Sequence, residues 1–319
     1  MRVNRRFLFW GVLLVAIGGV LVAADLGAID TSILADVIRL WPLAIIAIGV
    51  SVVLRRTRFS LPATLVAALI PGLVVGAAFA VAPRFAGACG VSNDLANVTT
   101  EQGTFDGPAS ISVRSGCGIL RVSTADGADW VLNARSEPGH APSITSTNRV
   151  LAIDTAIDGF SFLDAGRNAW DLSLPADDVE DLNVTVNAGS GTLDLAGADI
   201  ERLHLVTNAA SVSVDASGAT VAELRGVVNV GDLAITLPDA GDLVGSLTVN
   251  AGHVTVCAPP ELGVRVVSTG NAEHVTINGD NQASGAWMSA NYRSATHHAD
   301  LDIRSNFGAV DFNPLGGCS

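Results

Sequence analysis

The chain has 319 residues, 49% of them apolar, and a formal net charge of −13. That length allows two or three structural units. Charge is split unevenly: residues 1–84 hold eight Arg against three acids, +5, while the remainder holds ten Arg against 28 acids, −18, which argues against nucleic-acid binding by the larger part.

Three apolar runs without a charge open the chain, at residues 7–24, 40–54 and 59–83. A helix of about 20 apolar residues spans the hydrocarbon core of a bilayer. The first and third runs meet that length. The second reaches it by extending back through Ile33, Leu34, Val37 and Ile38, with Asp36 and Arg39 at the interface. The pattern predicts three transmembrane helices. A cleaved signal peptide is the competing reading of residues 1–24, with Arg2, Arg5 and Arg6 as its basic start. The run is long for such a segment, and two further apolar runs follow it. Arg2, Arg5 and Arg6 precede the first run, and Arg55, Arg56 and Arg58 follow the second. Cationic flanks stay on the cytoplasmic side. The expected topology is a cytoplasmic N-terminus in a multi-pass cell-membrane protein, with everything after about residue 84 outside.

Residues 83–103 are small and polar and read as a linker. The expected organisation is a three-helix membrane region over 1–84, a linker over 85–103 and an extracytoplasmic β-solenoid over 104–319. Cys89, Cys117, Cys257 and Cys318 all fall in the outer part, with no CxxC spacing. An oxidising compartment allows disulfides among them, and four cysteines admit three pairings. Buried free thiols are the alternative. Ala86-Gly87-Ala88-Cys89 loosely matches a lipoprotein cleavage box, but Pro83 and Arg84 break its approach.

The solenoid is read from a repeat. Asn187, Asn208, Asn229, Asn250 and Asn271 recur every 21 residues. Four residues after each Asn stand Gly191, Val212, Leu233, Val254 and Val275. Six residues after stand Leu193, Val214, Ile235, Val256 and Ile277, with a mostly polar residue between. A two-residue alternation inside a 21-residue period predicts stacked coils, each of two short strands and two turns. Gly116–Val122 already follows the same pattern, residues 125–180 are less regular, and 280–300 interrupts the series before a coil with Asn306, Val310 and Phe312. That final coil is expected to cover the exposed end of the stack. The fold class is therefore a membrane α-helical anchor plus an all-β solenoid with coils of about 21 residues.

The recurring Asn reads as a structural ladder, its side chains hydrogen-bonding from coil to coil. Three residues after each Asn stand Ser190, Ser211, Asp232, His253 and His274. In-register stacking would align Asp232, His253 and His274, a donor set that zinc could use. A column spaces its ligands along a line, however, whereas zinc needs them convergent, so solvated turn residues are the expectation and no metal or cofactor is assigned. His297-His298 adds two imidazoles without a motif. A glycan-active enzyme would need converging carboxylates. Asp194, Asp199, Asp215, Asp239, Asp300, Asp302 and Asp311 instead occupy unlike repeat positions. No GxSxG, HExxH, Walker loop or strand-following GxGxxG is present.

Two stretches resemble bacterial envelope families. RRFLFWGVLLVAIGGVLVAADLG and RLWPLAIIAIGVSVVLRR, with Trp41-Pro42-Leu43 opening the second run, resemble the membrane region of LiaI/LiaF-type envelope-stress proteins. WDLSLP (170–175), VNAGSGTLDL (186–195) and the NAGHV and NAEHV turns resemble the adhesin-type "toastrack" β-solenoid often attached to such regions. The resemblance implies a non-enzymatic membrane protein whose partners are the lipid bilayer and other envelope or membrane proteins, and which modulates envelope-stress signalling or scaffolds partners. A surface structural or adhesive module is the alternative role. The third apolar run departs from the simplest two-helix pattern of that family.

Overall fold

The computed structural model describes residues 5–25, 45–46, 65–74, 89, 95–155, 167–270, 275–282 and 285–313. The chain divides into two compact units, Met1–Ala88 and Cys89–Ser319.

In the first unit, helix α1 (Arg5–Asp25) coincides with the uncharged run 7–24. Trp10, Leu14, Val15 and Val22 are exposed, while Ala16 and Val20 are buried. Residues 65–74 are also helical, with Ala67 and Ala68 buried. A Cβ on Gly72 would fall 2.7 Å from Ala16 Cβ and 2.9 Å from the Leu13 carbonyl oxygen. Small residues thus let two helix backbones approach, as helices packing in lipid do. Among the described residues, no helix is long and apolar enough to cross a membrane. The predicted second span and both ends of the third lie largely outside the described residues.

Among the described residues, the second unit is a 16-stranded sheet wound into a solenoid. Its middle is made of five long, bent strands: β2 (Ala109–Ala125), β7 (Val179–Asp194), β8 (Asp199–Asp215), β9 (Thr220–Thr236) and β10 (Leu243–Cys257). They stack parallel and in register, Leu182 beside Leu203 beside Leu224 on one wall. On the other wall one column runs Leu172, Val122, Leu193, Val214, Ile235, Val256, Phe312, Ile277. All eight are at most 3% exposed. The period-two pattern puts these residues inside, and stacking converts one buried position per coil into a continuous core.

The corners of the coils are tight. Gly189 (φ +105°) and Gly231 (φ +113°) occupy the left-handed half of backbone space. A Cβ would stand 2.0 Å from the Gly118 carbonyl oxygen at the first and 2.1 Å from that of Ala210 at the second. Only glycine fits such a conformation and approach.

The ends of the stack do not follow chain order. β5 (Val150–Thr155) and β6 (Arg167–Pro175) pair with β2 on the side away from β7. β15 (His298–Ser305) and β16 (Ala309–Phe312) lie between β10 and the coil formed by β11 (Gly263–Gly270) and β12 (Val275–Ile277). The final coil is therefore internal, and does not cover the end as the repeat suggested. A 21-residue period says which residues share a place in a coil, but not which coils are neighbours, and residues 278–297 are long enough to carry the chain back.

Antiparallel strands cover the ends. β3 (Asp129–Ser136) pairs with β6, β1 (Asn97–Thr104) with β3, and β4 (Pro142–Thr147) with β5. At the other end β14 (Gly285–Met288) pairs with β11, and β13 (Asp280–Gln282) with β12. β1 falls within the stretch expected to be linker. It is an edge strand with none of its residues fully buried, so it shows no apolar alternation for the sequence to reveal.

Candidate functional site

The repeated geometry of the coils brings the ladder Asn residues to one corner. Asn208 Nδ2 donates to Asn187 Oδ1 at 2.7 Å, Asn229 to Asn208 at 2.6 Å, and Asn250 to Asn229 at 2.7 Å. Asn187 closes one end by donating to the Ser115 carbonyl at 3.1 Å. Asn306 donates to Asn250, at 2.8 Å. Asn271 lies outside the described residues. Each half-buried amide thus satisfies its neighbour along the stack.

Of Asp232, His253 and His274, the register places the first two. Asp232 is beside His253, but His253 is beside Ala309. β16 separates β10 from β12, the strand that follows position 274 in sequence. His274 itself lies outside the described residues. His253 Nε2 instead lies 2.9 Å from Asp311 Oδ2, and Asp311 Oδ1 accepts a short hydrogen bond from Thr276 Oγ1. Asp311 therefore bridges three coils, a contact the sequence concealed because it depends on the intercalated final coil. Among the described residues, no three His, Cys, Asp or Glu side chains gather in a metal-ligating group.

Several other carboxylates are engaged locally. Asp194 and Asp215 accept from Ala196 N and Ser217 N, capping equivalent turns. Asp199 accepts from Thr220 on the next coil. Arg202 clasps Asp181 and Glu201 on one outer wall, and its hydrogen bond with Asp181, opposed by partial burial, raises the guanidinium pKa. Asp300 accepts from Tyr292 Oη at 2.9 Å and lies 3.7 Å from Arg265. That bond is the first cause of the raised Tyr292 pKa. Val244, Gly245, Arg265, Asp300, Leu301 and Asp302 are among the residues that line a shallow groove. His298 is held by the Tyr292 carbonyl at 2.8 Å and stacks edgewise on the Tyr292 ring, while the His297 carbonyl accepts from Gly263 N. These contacts tie coils and turns together.

Two covalent or charged ties fix the end of the stack nearer the N-terminus. Cys89 is disulfide-bonded to Cys117, across 28 residues. Cys257 is also disulfide-bonded. Cys318 lies outside the described residues. Glu137 accepts from Arg167 Nε at 2.5 Å and from the Arg167 backbone N–H at 3.1 Å. Burial opposes ionisation of Glu137, but these bonds prevail and hold its carboxyl below the usual range. Nothing in the spacing of Glu137 and Arg167 announced their pairing.

Residues 107–237 match the family described as the N-terminal domain of toast_rack, DUF2154, and residues 8–53 match the LiaI-LiaF-like transmembrane region. The chain joins a LiaI-LiaF-like membrane region to a toast-rack-like solenoid. The toast-rack match spans the strands β2 to β9 and stops at the Leu237 corner, before the intercalated end. No curated protein matches the chain. Solved structures similar to it include a putative cell adhesion protein from Clostridium sporogenes, with 15% identity and a TM-score of 0.46, covering 68% of this chain and 100% of that one. A putative adhesin from Parabacteroides merdae has 12% identity and a TM-score of 0.30, covering 70% and 98%. A putative lipid binding protein from Parabacteroides distasonis has 12% identity and a TM-score of 0.26, covering 68% and 97%.

Proposed function

We propose that this protein is a non-enzymatic integral membrane protein of the bacterial cell envelope, which holds its solenoid outside the cytoplasm for contact with other envelope or membrane proteins and modulates envelope-stress signalling. The observation that carries this reading is the union, in one chain, of a LiaI-LiaF-like transmembrane region with a toast-rack-like solenoid. The described polar side chains of the solenoid support it. Many serve ladders, turn caps and coil-to-coil pairs, as in a scaffold, and Asp194, Asp199, Asp215 and Asp300 are among them. The Arg clusters at Arg2, Arg5 and Arg6 and at Arg55, Arg56 and Arg58, flanking the first two apolar runs, support the orientation.

Fusion of topology reporters after Ser319 tests the placement. An enzyme that works only outside the cytoplasm should be active there, and cytoplasmic-type activity would overturn it. Deleting the protein should alter induction of an envelope-stress promoter by a cell-wall antibiotic. Unchanged induction would replace regulation with a structural or adhesive role.

A further inference from the structure

One corner of the solenoid presents an apolar ridge to solvent. The residue after each ladder Asn forms a column in which Cys117 is beside Ala188, Ala188 beside Ala209, Ala209 beside Val230, and Val230 beside Ala251. The pairs Val249–Ser305 and His253–Ala309 on either side bring Phe307 opposite Ala251. Ala209 and Ala251 are exposed, Val230 is 55% exposed, and Phe307 is 82% exposed. The intercalated coil thus supplies the largest apolar side chain of the row. At about 4.8 Å per coil, the row runs about 24 Å from Cys117 to Phe307.

The ridge is also nearly uncharged. The five turns that carry it read NAGS, NAAS, NVGD, NAGH and NFGA, with Asp232 as their only fixed charge, in a region whose balance is −18. Its head is tied to the membrane-proximal chain. Cys89, bonded to Cys117 at the start of the column, follows Pro83 at the end of the third apolar run by six residues. Six residues reach at most about 20 Å. An exposed aromatic in an uncharged apolar row, in a domain that starts six residues of sequence after the last apolar run, fits an interface with lipid.

We infer that this corner ridge docks on the surface of the lipid bilayer, with Phe307 entering the boundary between headgroups and acyl chains. The inference rests on the membrane-anchored reading above. Docking would lay the coils beside the membrane and leave the walls with the Arg202 and Arg265 pairs open to partners.

The test places a nitroxide at Val230→Cys in the full chain, reconstituted into phosphatidylcholine vesicles, with Val244→Cys, a position 63% exposed on an outer wall, as the comparison. Flotation of the chain with the vesicles reads the anchor alone, and failure to float would sink the anchored reading. In floating protein, the label at 230 should be more accessible to oxygen than to a water-soluble nickel complex, and the label at 244 the reverse. Phe307→Asp should return the label at 230 to the pattern at 244, with the β-sheet circular dichroism retained. Equal, water-like accessibility at 230 and 244 would overturn the inference. Spin–spin broadening at 230 that vanishes on dilution with unlabelled chain would also overturn it, by assigning the ridge to a second copy. A label at 230 that remains in lipid in the Phe307→Asp variant would remove Phe307 from the role given to it here.

Discussion

Asn306 donates its side-chain N–H to Asn250 Oδ1 at 2.8 Å, joining residues 56 positions apart in a ladder whose other rungs are 21 apart. The last coil in sequence therefore comes before the coil of β11 and β12 in space. The chain must leave β10, form β11 and β12, and return before β15 and β16 complete the contact on which both depend. Such non-local pairing forms late, because the loop must close before the contacts reward it.

Removal of residues 298–319 should therefore loosen more than a terminus. β11 and β12 would lose their only parallel neighbour among the described strands, and β10 would gain a bare edge. Amide hydrogen exchange across 263–277 should lose its protection in the truncated chain while 182–236 keeps it. Protection retained at 263–270 would show that this coil docks without the intercalated one.

The ladder predicts a specific cost. Asn229→Ala leaves Asn250 Nδ2 without its acceptor and Asn208 Oδ1 without its donor. Stranding partly buried amide groups should lower the stability by about 1–3 kcal/mol. Denaturant titration reads this, and a change within roughly 0.5 kcal/mol would mean that water serves the amides equally well.

Alternation predicts a contrast between two substitutions. Ile235, at 2% exposure, is in the middle of the core column, so Ile235→Asp would bury an unpaired carboxylate at a cost of several kcal/mol. Thr255 is partly exposed on the opposite face of the next coil, and Thr255→Asp should be far milder. Equal losses in a thermal melt would contradict the placement of the two faces.

The Cys89–Cys117 disulfide closes a 28-residue span. By loop-closure entropy, its loss in Cys89→Ala with Cys117→Ala should cost about 3–4 kcal/mol, less if the unfolded chain is already compact there. The change should be visible as a reduced denaturant midpoint, with a slope that does not fall, because the freed unfolded chain exposes at least as much surface. An unaltered midpoint would show that β1 and β3 hold this end unaided.

Glu137 gives the acid limb its sign. Its folded pKa lies below the unfolded value of about 4.3, so its contribution is complete above about pH 5 and disappears as pH falls through the folded value. Glu137→Gln should flatten the loss of stability in that acidic window and leave the slope near neutral pH unchanged. An identical acid limb in parent and variant would remove Glu137 from the account. With its side chain 25% exposed, the effect is expected to be modest.

The local pattern of the sequence determined which side chains are buried and which residues share a place in each coil. Leu193, Val214, Ile235 and Val256 could be aligned from spacing alone because a strand alternates its faces at every residue, whatever its neighbours are. The apolar runs and the Arg clusters likewise declared a membrane region before any helix was seen, since hydropathy and charge act residue by residue. Coil order was decided only by tertiary structure. Every coil offers nearly the same backbone edge and the same Asn, so β10 could accept either following coil by local chemistry. The intercalation of β15 and β16, the Asp311 bridge between His253 and Thr276, and the place of Phe307 on the corner ridge all follow from that choice. It depends on which surfaces remain to be buried once the whole chain is closed, and no window of sequence contains that information.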